Sequence, residues 1–314
     1  MGLQNNQNIT GLQKNILELE KKYFRILEGV FNTDGFKSDL ERIEKEINLD
    51  YDNLKRTWNI KNKLKVAAER LVSYHIYKKL LPSIKDIYVS PISSDIGVKF
   101  GDCVVCVDCK TVDIIGNEGD AKYIAVETNQ ISFENSKYPL FKANGKLSQR
   151  DRTTRKPVLT YVLKIIYTDD GSQFSIARTQ NEGYSSIILA CVPNGELSKL
   201  FGEDIIANFK TYKYFTAKDN EQLAEVPLNT QKELNDYVEK MKLQTISVEN
   251  EHGRKKILYV DVLNHITWVY TSYNNQKCLR AIKGGNTMRL NNEMLKNRLD
   301  ENDNPWLGYK EWDI

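Results

Sequence analysis

Apolar positions recur at helical spacing through the first third of the chain: Ile16, Leu17, Leu19, Tyr23, Phe24, Ile26, Leu27, Val30 and Phe31 form one stripe, and Leu40, Ile43 and Ile47 a second. Spacings of three and four residues put these side chains on one face of a helix, so the pattern predicts amphipathic helices packed on a core. A third helical stretch spans about 51–81 and is broken by Pro82; its later part, from Leu64 to Tyr77, reads as a core-facing helix carrying Glu69. After Pro82 the period shortens. Runs at 87–89, 96–100, 103–112 and 123–126 are β-prone and separated by turn residues, and Gly101-Asp102 between two of them marks a hairpin. Further strands are expected at 158–167, at 174–177 after the turn Asp169-Asp170-Gly171, and at 186–192. A helix is expected over 223–241, strands at 245–248, 256–260 and 266–270, and a helix near 291–299. The fold class is α/β of mixed α+β character, organised as an N-terminal helical region (1–60), a core with the mixed sheet (61–215) and a C-terminal α+β region (216–314) packed on it.

With 314 residues, 40% hydrophobic and 28% charged, the chain is an ordinary globular one, large enough for a substantial core. Its longest apolar runs, at 187–192 and 257–260, fall far short of the roughly 18 residues that span a bilayer. Residues 1–15 are polar and rich in Asn and Gln, without a signal-peptide core, so the expectation is a cytoplasmic protein with no membrane partner. Five cysteines argue against a disulfide framework and fit a reducing compartment. The net charge of +3, from 45 basic and 42 acidic residues, is too mild to point to a nucleic acid; only clustering would.

The chemistry concentrates in Pro91-Ile-Ser-Ser-Asp-Ile-Gly-Val-Lys-Phe-Gly-Asp-Cys-Val-Val-Cys-Val-Asp-Cys-Lys-Thr111. Strand alternation puts Asp108 and Lys110 on one face with Cys106, and Val105, Val107 and Cys109 on the other. Two charges on an otherwise apolar strand cost free energy unless each is paired or bound to an ion. A turn at Gly101-Asp102 brings Asp95 back beside Asp108, giving two carboxylates and an ammonium around one point, a hard-oxygen site suited to Mg2+. Metal ligands would be Asp95, Asp108 and the carbonyl of Cys109, with Lys110 beside a scissile phosphate and Glu69 joining through water. The triplet acid-x-Lys occurs also at Glu20–Lys22, read as a solvated helix face, and at Asp120–Lys122, read as a loop; only Asp108–Lys110 lies in an apolar strand. A self-satisfied ion pair is the alternative reading of that pair.

This arrangement resembles the PD-(D/E)xK nuclease superfamily, and within it the type II restriction endonucleases. The matching pieces are an inward Glu on a helix (Glu69), an Asp after a Pro-containing strand entry (Asp95, with Pro91 four positions earlier and Ser94 directly before it), a hairpin, and Asp-x-Lys (Asp108, Lys110). The resemblance covers about residues 64–130. It implies a restriction-endonuclease-like central mixed β-sheet flanked by helices, Mg2+-dependent hydrolysis of phosphodiesters in double-stranded DNA, and commonly a homodimer. A cognate DNA methyltransferase is expected in the same host, not as a stable complex. A structure-directed repair or recombination nuclease of the same fold, and a non-catalytic DNA-binding protein, remain as alternatives.

Candidate DNA contacts lie in the basic segment Lys142, Lys146, Arg150, Arg152, Arg155 and Lys156, which holds a single acid, Asp151. Asn129 and Gln130, after the next strand, carry amides of the kind that read adenine edges, and Asn286 and Arg289 lie in or beside a Gly284-Gly285 loop. Solvated loops and backbone capping are the competing readings. Cys103, Cys106 and Cys109 suggest zinc, but alternation separates Cys106 from the other two and no nearby His completes a set. His75, His252 and His265 have no metal or triad spacing.

Overall fold

The computed structural model describes residues 10–57, 64–88, 94–132, 147–201, 205–209, 213–214, 225–249, 255–264, 266–283, 287–296, 298–299, 305–306 and 308–314. The chain divides into two compact units, one of Met1–Ser136, Asn144–Ala207 and Arg289–Ile314, the other of Lys137–Ala143 and Asn208–Met288.

The first unit opens with helices α1 (Gly11–Phe31), α2 (Asp34–Leu49), α3 (Tyr51–Thr57) and α4 (Lys65–Leu80). Threonines set two of the starts. Thr10 and Gln13 cap each other reciprocally at α1, and the Thr33 hydroxyl accepts from Phe36 N at α2. The strands are β1 (Asp86–Ile87), β2 (Ile96–Lys99), β3 (Val104–Asp113), β4 (Ile124–Glu127, after the short helix α5, Glu118–Lys122), β5 (Val158–Asp169), β6 (Phe174–Ile176) and β7 (Ile187–Val192). The main sheet runs β1-β2-β3-β5-β7 and ends on the C-terminal strand Tyr309–Trp312, with β6 paired to the end of β5. β3 and β5 are parallel and the other pairings antiparallel, so the sheet is mixed. β5 is buried continuously from Val158 to Tyr167, which is why its sequence is an apolar run and not an alternation: it is a central strand covered on both faces.

Side chains alternate as strand geometry requires. Cys103, Val105, Val107 and Cys109 join α1, α2 and α4 in the large core, while Val104 and Cys106 join Tyr88, Leu147 and Val158 on the opposite face. All five cysteines are buried. The helices thus cover one face of the sheet, and Asp108 and Lys110 stand on the other. Glu20 departs from its expected solvated position: it is 0% exposed and its carboxylate accepts from Asn194 N at 2.8 Å. Its spacing from Ile16 and Phe24, four residues each way, places it on the buried stripe despite its charge.

The second unit is an antiparallel sheet in the order Glu225–Pro227, Gln276–Lys283, Ile266–Tyr273, Lys255–Asp261, Gln244–Glu249. Helix Gln231–Lys240 packs Leu234 against Leu228, Leu243, Tyr259, Trp268, Leu279 and Ala281. Expected as part of a helix over 223–241, residues 225–227 form a strand instead. Pro227 and the Thr230–Glu233 capping box start the helix later. At 291–299 only Asn292–Lys296 is helical, followed by the short strand Arg298–Leu299. Among the described residues no helix is long and apolar enough to cross a membrane.

Candidate active site

The β2–β3 hairpin closes through Gly101-Asp102, with Phe100 N donating to Cys103 O at 2.8 Å. Asp102 ties that turn to α1: its carboxylate accepts from Lys22 Nζ at 2.5 Å and from Tyr23 Oη at 2.6 Å. Burial pushes the Asp102 carboxyl up, yet these hydrogen bonds outweigh it and hold it below the usual carboxylate range. The anchored turn fixes the register Ile96↔Val107 and Gly97↔Cys106. Asp95, the residue before the first paired position, lies close enough for its charge to act on Asp108.

Asp95 is exposed and its Oδ2 accepts from Cys109 N at 2.7 Å. Asp108 is 2% exposed. Its Oδ1 accepts from Gln130 Nε2 at 2.7 Å, and its Oδ2 lies 2.7 Å from Lys110 Nζ. That second contact is a short, charge-assisted ion pair, through which Lys110 lowers the Asp108 carboxyl. Burial pushes the Asp108 carboxyl up to about 6; Lys110 draws it down, while the charges of Asp95 and Glu127 add to the rise. An acid perturbed by burial and by like charges marks a place where negative groups have been gathered.

Lys110 is half-buried and its ammonium also donates to Gln130 Oε1 at 3.1 Å. Glu69 is half-buried on α4, 3.9 Å from Lys65 Nζ, and its carboxyl is raised by burial and by Asp95. The charges of both Asp95 and Lys110 act on Glu69. Asp95, Asp108 and Lys110 are thus brought together, with Glu69 beside them. Among the described residues no three His, Cys, Asp or Glu side chains converge on one point. Mg2+ does not require that: it commonly takes one or two carboxylates and keeps waters and phosphate oxygens in its remaining positions. The residues therefore fit such an ion.

The other expected contacts divide. Gln130 is 5% exposed with its amide engaged by Asp108, Lys110 and Glu127 N, so it presents no edge to a base. Asn129, beside it, is half-buried with Oδ1 lacking a hydrogen-bond partner among the described residues. Arg150 is clamped by Glu196 at 2.6 and 3.2 Å and donates to Arg155 O, and Lys156 Nζ donates to Phe100 O at 3.1 Å. Arg289 pairs with Asp120 at 3.2 Å and is mostly buried. Gln130, Arg150, Lys156 and Arg289 each find an internal partner that the sequence does not reveal. Arg152 and Arg155 are exposed on a turn held by buried Asp151, which accepts from Thr154 N and Oγ1, and Arg155 takes a left-handed φ of 60°. Pro91, Lys142, Lys146, Asn286, His252 and His265 lie outside the described residues. His75 packs between helices, 2.9 Å from Asp39.

One participant was not singled out from the sequence: Glu127, which adds its charge to the Asp108 environment. Gln130, expected there as a DNA contact, bridges Asp108 and Lys110. The readable trace was the Glu127-x-x-Gln130 spacing behind a strand, a reciprocal capping box that turns the Gln side chain back on its own turn.

No protein-family model matches the chain, and no curated protein matches it by sequence. Among solved structures it is similar to the restriction endonuclease BglI bound to its DNA recognition sequence, at 14% identity and a TM-score of 0.38, over 88% of this chain and 91% of that one. It is also similar to the tetrameric restriction endonuclease SfiI bound to cognate DNA, at 13% identity and a TM-score of 0.35, over 62% of this chain and 72% of that one.

Proposed function

We propose that this protein is a Mg2+-dependent endonuclease of the type II restriction class, which hydrolyses phosphodiester bonds at a specific site in double-stranded DNA and acts as a homodimer. The observation that carries the reading is the buried Asp108 carboxylate, 2.7 Å from Lys110 Nζ and within the fields of two further acids, Asp95 and Glu127. A buried carboxylate gathered with like charges on a central strand costs free energy that a divalent cation would offset.

Asp95, Asp108 and the carbonyl of Cys109 would hold the ion. When bound there, it supplies Lewis acidity toward the phosphodiester. Lys110 stands beside the carboxylates as a compact donor, placed to orient a water for attack on phosphorus and to offset the charge that builds as the ester P–O bond breaks. The Asp151–Lys156 turn offers Arg152 and Arg155 to the DNA backbone. The region 216–314 is assigned to DNA recognition or dimerisation.

The test is cleavage of plasmid and phage DNA by the purified full chain. Discrete fragments are expected with Mg2+ and none with a chelator. Asp108→Ala and Lys110→Ala should each lower cutting by at least roughly a thousandfold while leaving DNA binding intact. Variants that cut at the wild-type rate would overturn the assignment, and smears in place of bands would overturn site specificity.

A further inference from the structure

We infer that Gln130 is a positioning residue that fixes both halves of the Asp108–Lys110 pair and so sets the orientation in which the Asp108 carboxylate meets a divalent cation. The inference deepens the nuclease reading and rests on it for its kinetic arm.

The geometry is a single amide set among groups of defined polarity. Glu127 N and Lys110 Nζ can only donate, and both face Gln130 Oε1, at 2.8 and 3.1 Å. Both lone pairs of that oxygen are thereby used. The amide orientation follows, since a flipped amide would set donor against donor at both contacts. Nε2 must then face Asp108 Oδ1, and does so at 2.7 Å. Oδ1 is thus taken by a neutral donor, and Oδ2 is the oxygen beside Lys110. The bridge is stiff at its own base. Glu127 and Gln130 cap each other reciprocally across the short turn Thr128–Gln130, so the backbone under the amide is pinned as well. Buried at 5% exposure, Gln130 meets little competition from water for any of these partners.

Groups that orient metal-binding side chains commonly affect metal affinity or activity about 10–100-fold when replaced. Gln130→Met, of similar length, removes donor and acceptor together. Gln130→Glu keeps the acceptor toward Glu127 N and Lys110 but replaces the donor to Asp108, so it tests one arm alone and serves if the Met variant fails to fold. Three readouts are needed on the full chain: calorimetric titration with Mn2+ in the absence of DNA, kcat and KM on a cleavable duplex, and crystal structures of the variants. For Gln130→Met we expect Mn2+ binding about tenfold weaker, kcat down about 10–100-fold with KM for DNA unchanged, and Lys110 withdrawn from Asp108. For Gln130→Glu we expect Lys110 to stay and the Asp108 carboxylate to turn away, again with kcat reduced. If either variant keeps wild-type Mn2+ binding and kcat with both side chains in place, the inference is overturned while a cutting wild type leaves the nuclease reading standing. A wild type that fails to cut duplex DNA with Mg2+ or Mn2+, beside a Met variant whose Lys110 has withdrawn, would overturn the nuclease reading and leave the positioning role intact.

Discussion

Asp108 carries an acid whose ionised form the fold disfavours. Burial, Asp95 and Glu127 together raise its folded value to about 6 against the pull of Lys110, whereas an unfolded Asp titrates near about 3.9. Between those values the folded chain binds more protons than the unfolded one, so stability falls as pH rises through the window and the cost is fully present above about 6. Asp108→Asn should therefore stabilise the chelator-treated protein at pH 8, by about 1–3 kcal/mol, and the gain should vanish below about pH 4. Urea titrations at the two pH values measure it; an equal gain at both would show that charge burial is not the cause. The basic turn separates by residue in the same way. Arg152→Ala and Arg155→Ala should each weaken DNA binding and flatten its salt dependence by about one counterion, whereas Arg150→Ala should instead lower stability, because it leaves Glu196 without its clamp. Fluorescence anisotropy across a salt series separates the two behaviours. The Asp108–Lys110 pair was legible in the sequence because charge inside an apolar strand is conspicuous. The engagement of Arg150 and Gln130 was not, because their partners lie 46 and 22 residues away in the chain and meet them only on folding.

Elements hold the site through a loop that local patterning does not advertise. Asn194 Nδ2 donates to Gln149 O and Val158 O, Gly195 N donates to Ser132 Oγ, and Glu196 holds Arg150. One loop thereby ties the start of β5 to the chain just after Gln130. Gly195 is required by space: a Cβ there would fall 2.1 Å from Ser132 O and 2.6 Å from Gln149 Nε2. Because the nearest obstacle is backbone oxygen, Gly195→Ala should cost about 3 kcal/mol or more. It should also lower cleavage by shifting Ser132 and the Gln130 turn before it. A denaturation midpoint unchanged from wild type would show that the loop yields freely. Helices α1, α2 and α4, the β2–β3 hairpin and β5 were readable from period and turn residues alone. The helix overextended to residue 223 shows the limit: apolar spacing continued through Glu225–Pro227, while cross-strand pairing to Arg280, Leu279 and Cys278 decided the outcome.

Across the whole molecule the chain leaves the first unit after Ala207 and returns at Arg289 to finish it. Its last strand, Tyr309–Trp312, pairs Tyr309 with Ala190 and Trp312 with Ile187, covering an edge of β7 whose side chains are all buried. That strand was not expected from the sequence, since Tyr-Lys-Glu-Trp shows neither alternation nor a turn signal and its burial runs from one end only. Asp313 then fastens the terminus. Its carboxylate accepts from Thr179 N and Ser186 N, and these bonds hold its carboxyl below the usual range although burial pushes it up. A sheet edge that is apolar and stripped of its partner strand is an aggregation template. Deleting residues 309–314 should consequently lower the thermal midpoint by several degrees, roughly the 4 °C or more that a loss of ~2 kcal/mol produces in a domain this size, and drive the protein into aggregates on size exclusion. Asp313→Asn should reproduce part of the midpoint shift at pH 7 and progressively less of it as pH falls below about 4, because a carboxylate held low contributes stability above its unfolded value and loses it as pH falls through the folded one. If the deleted chain melts with wild type and stays monodisperse, the closing strand is dispensable and β7 is protected by other means.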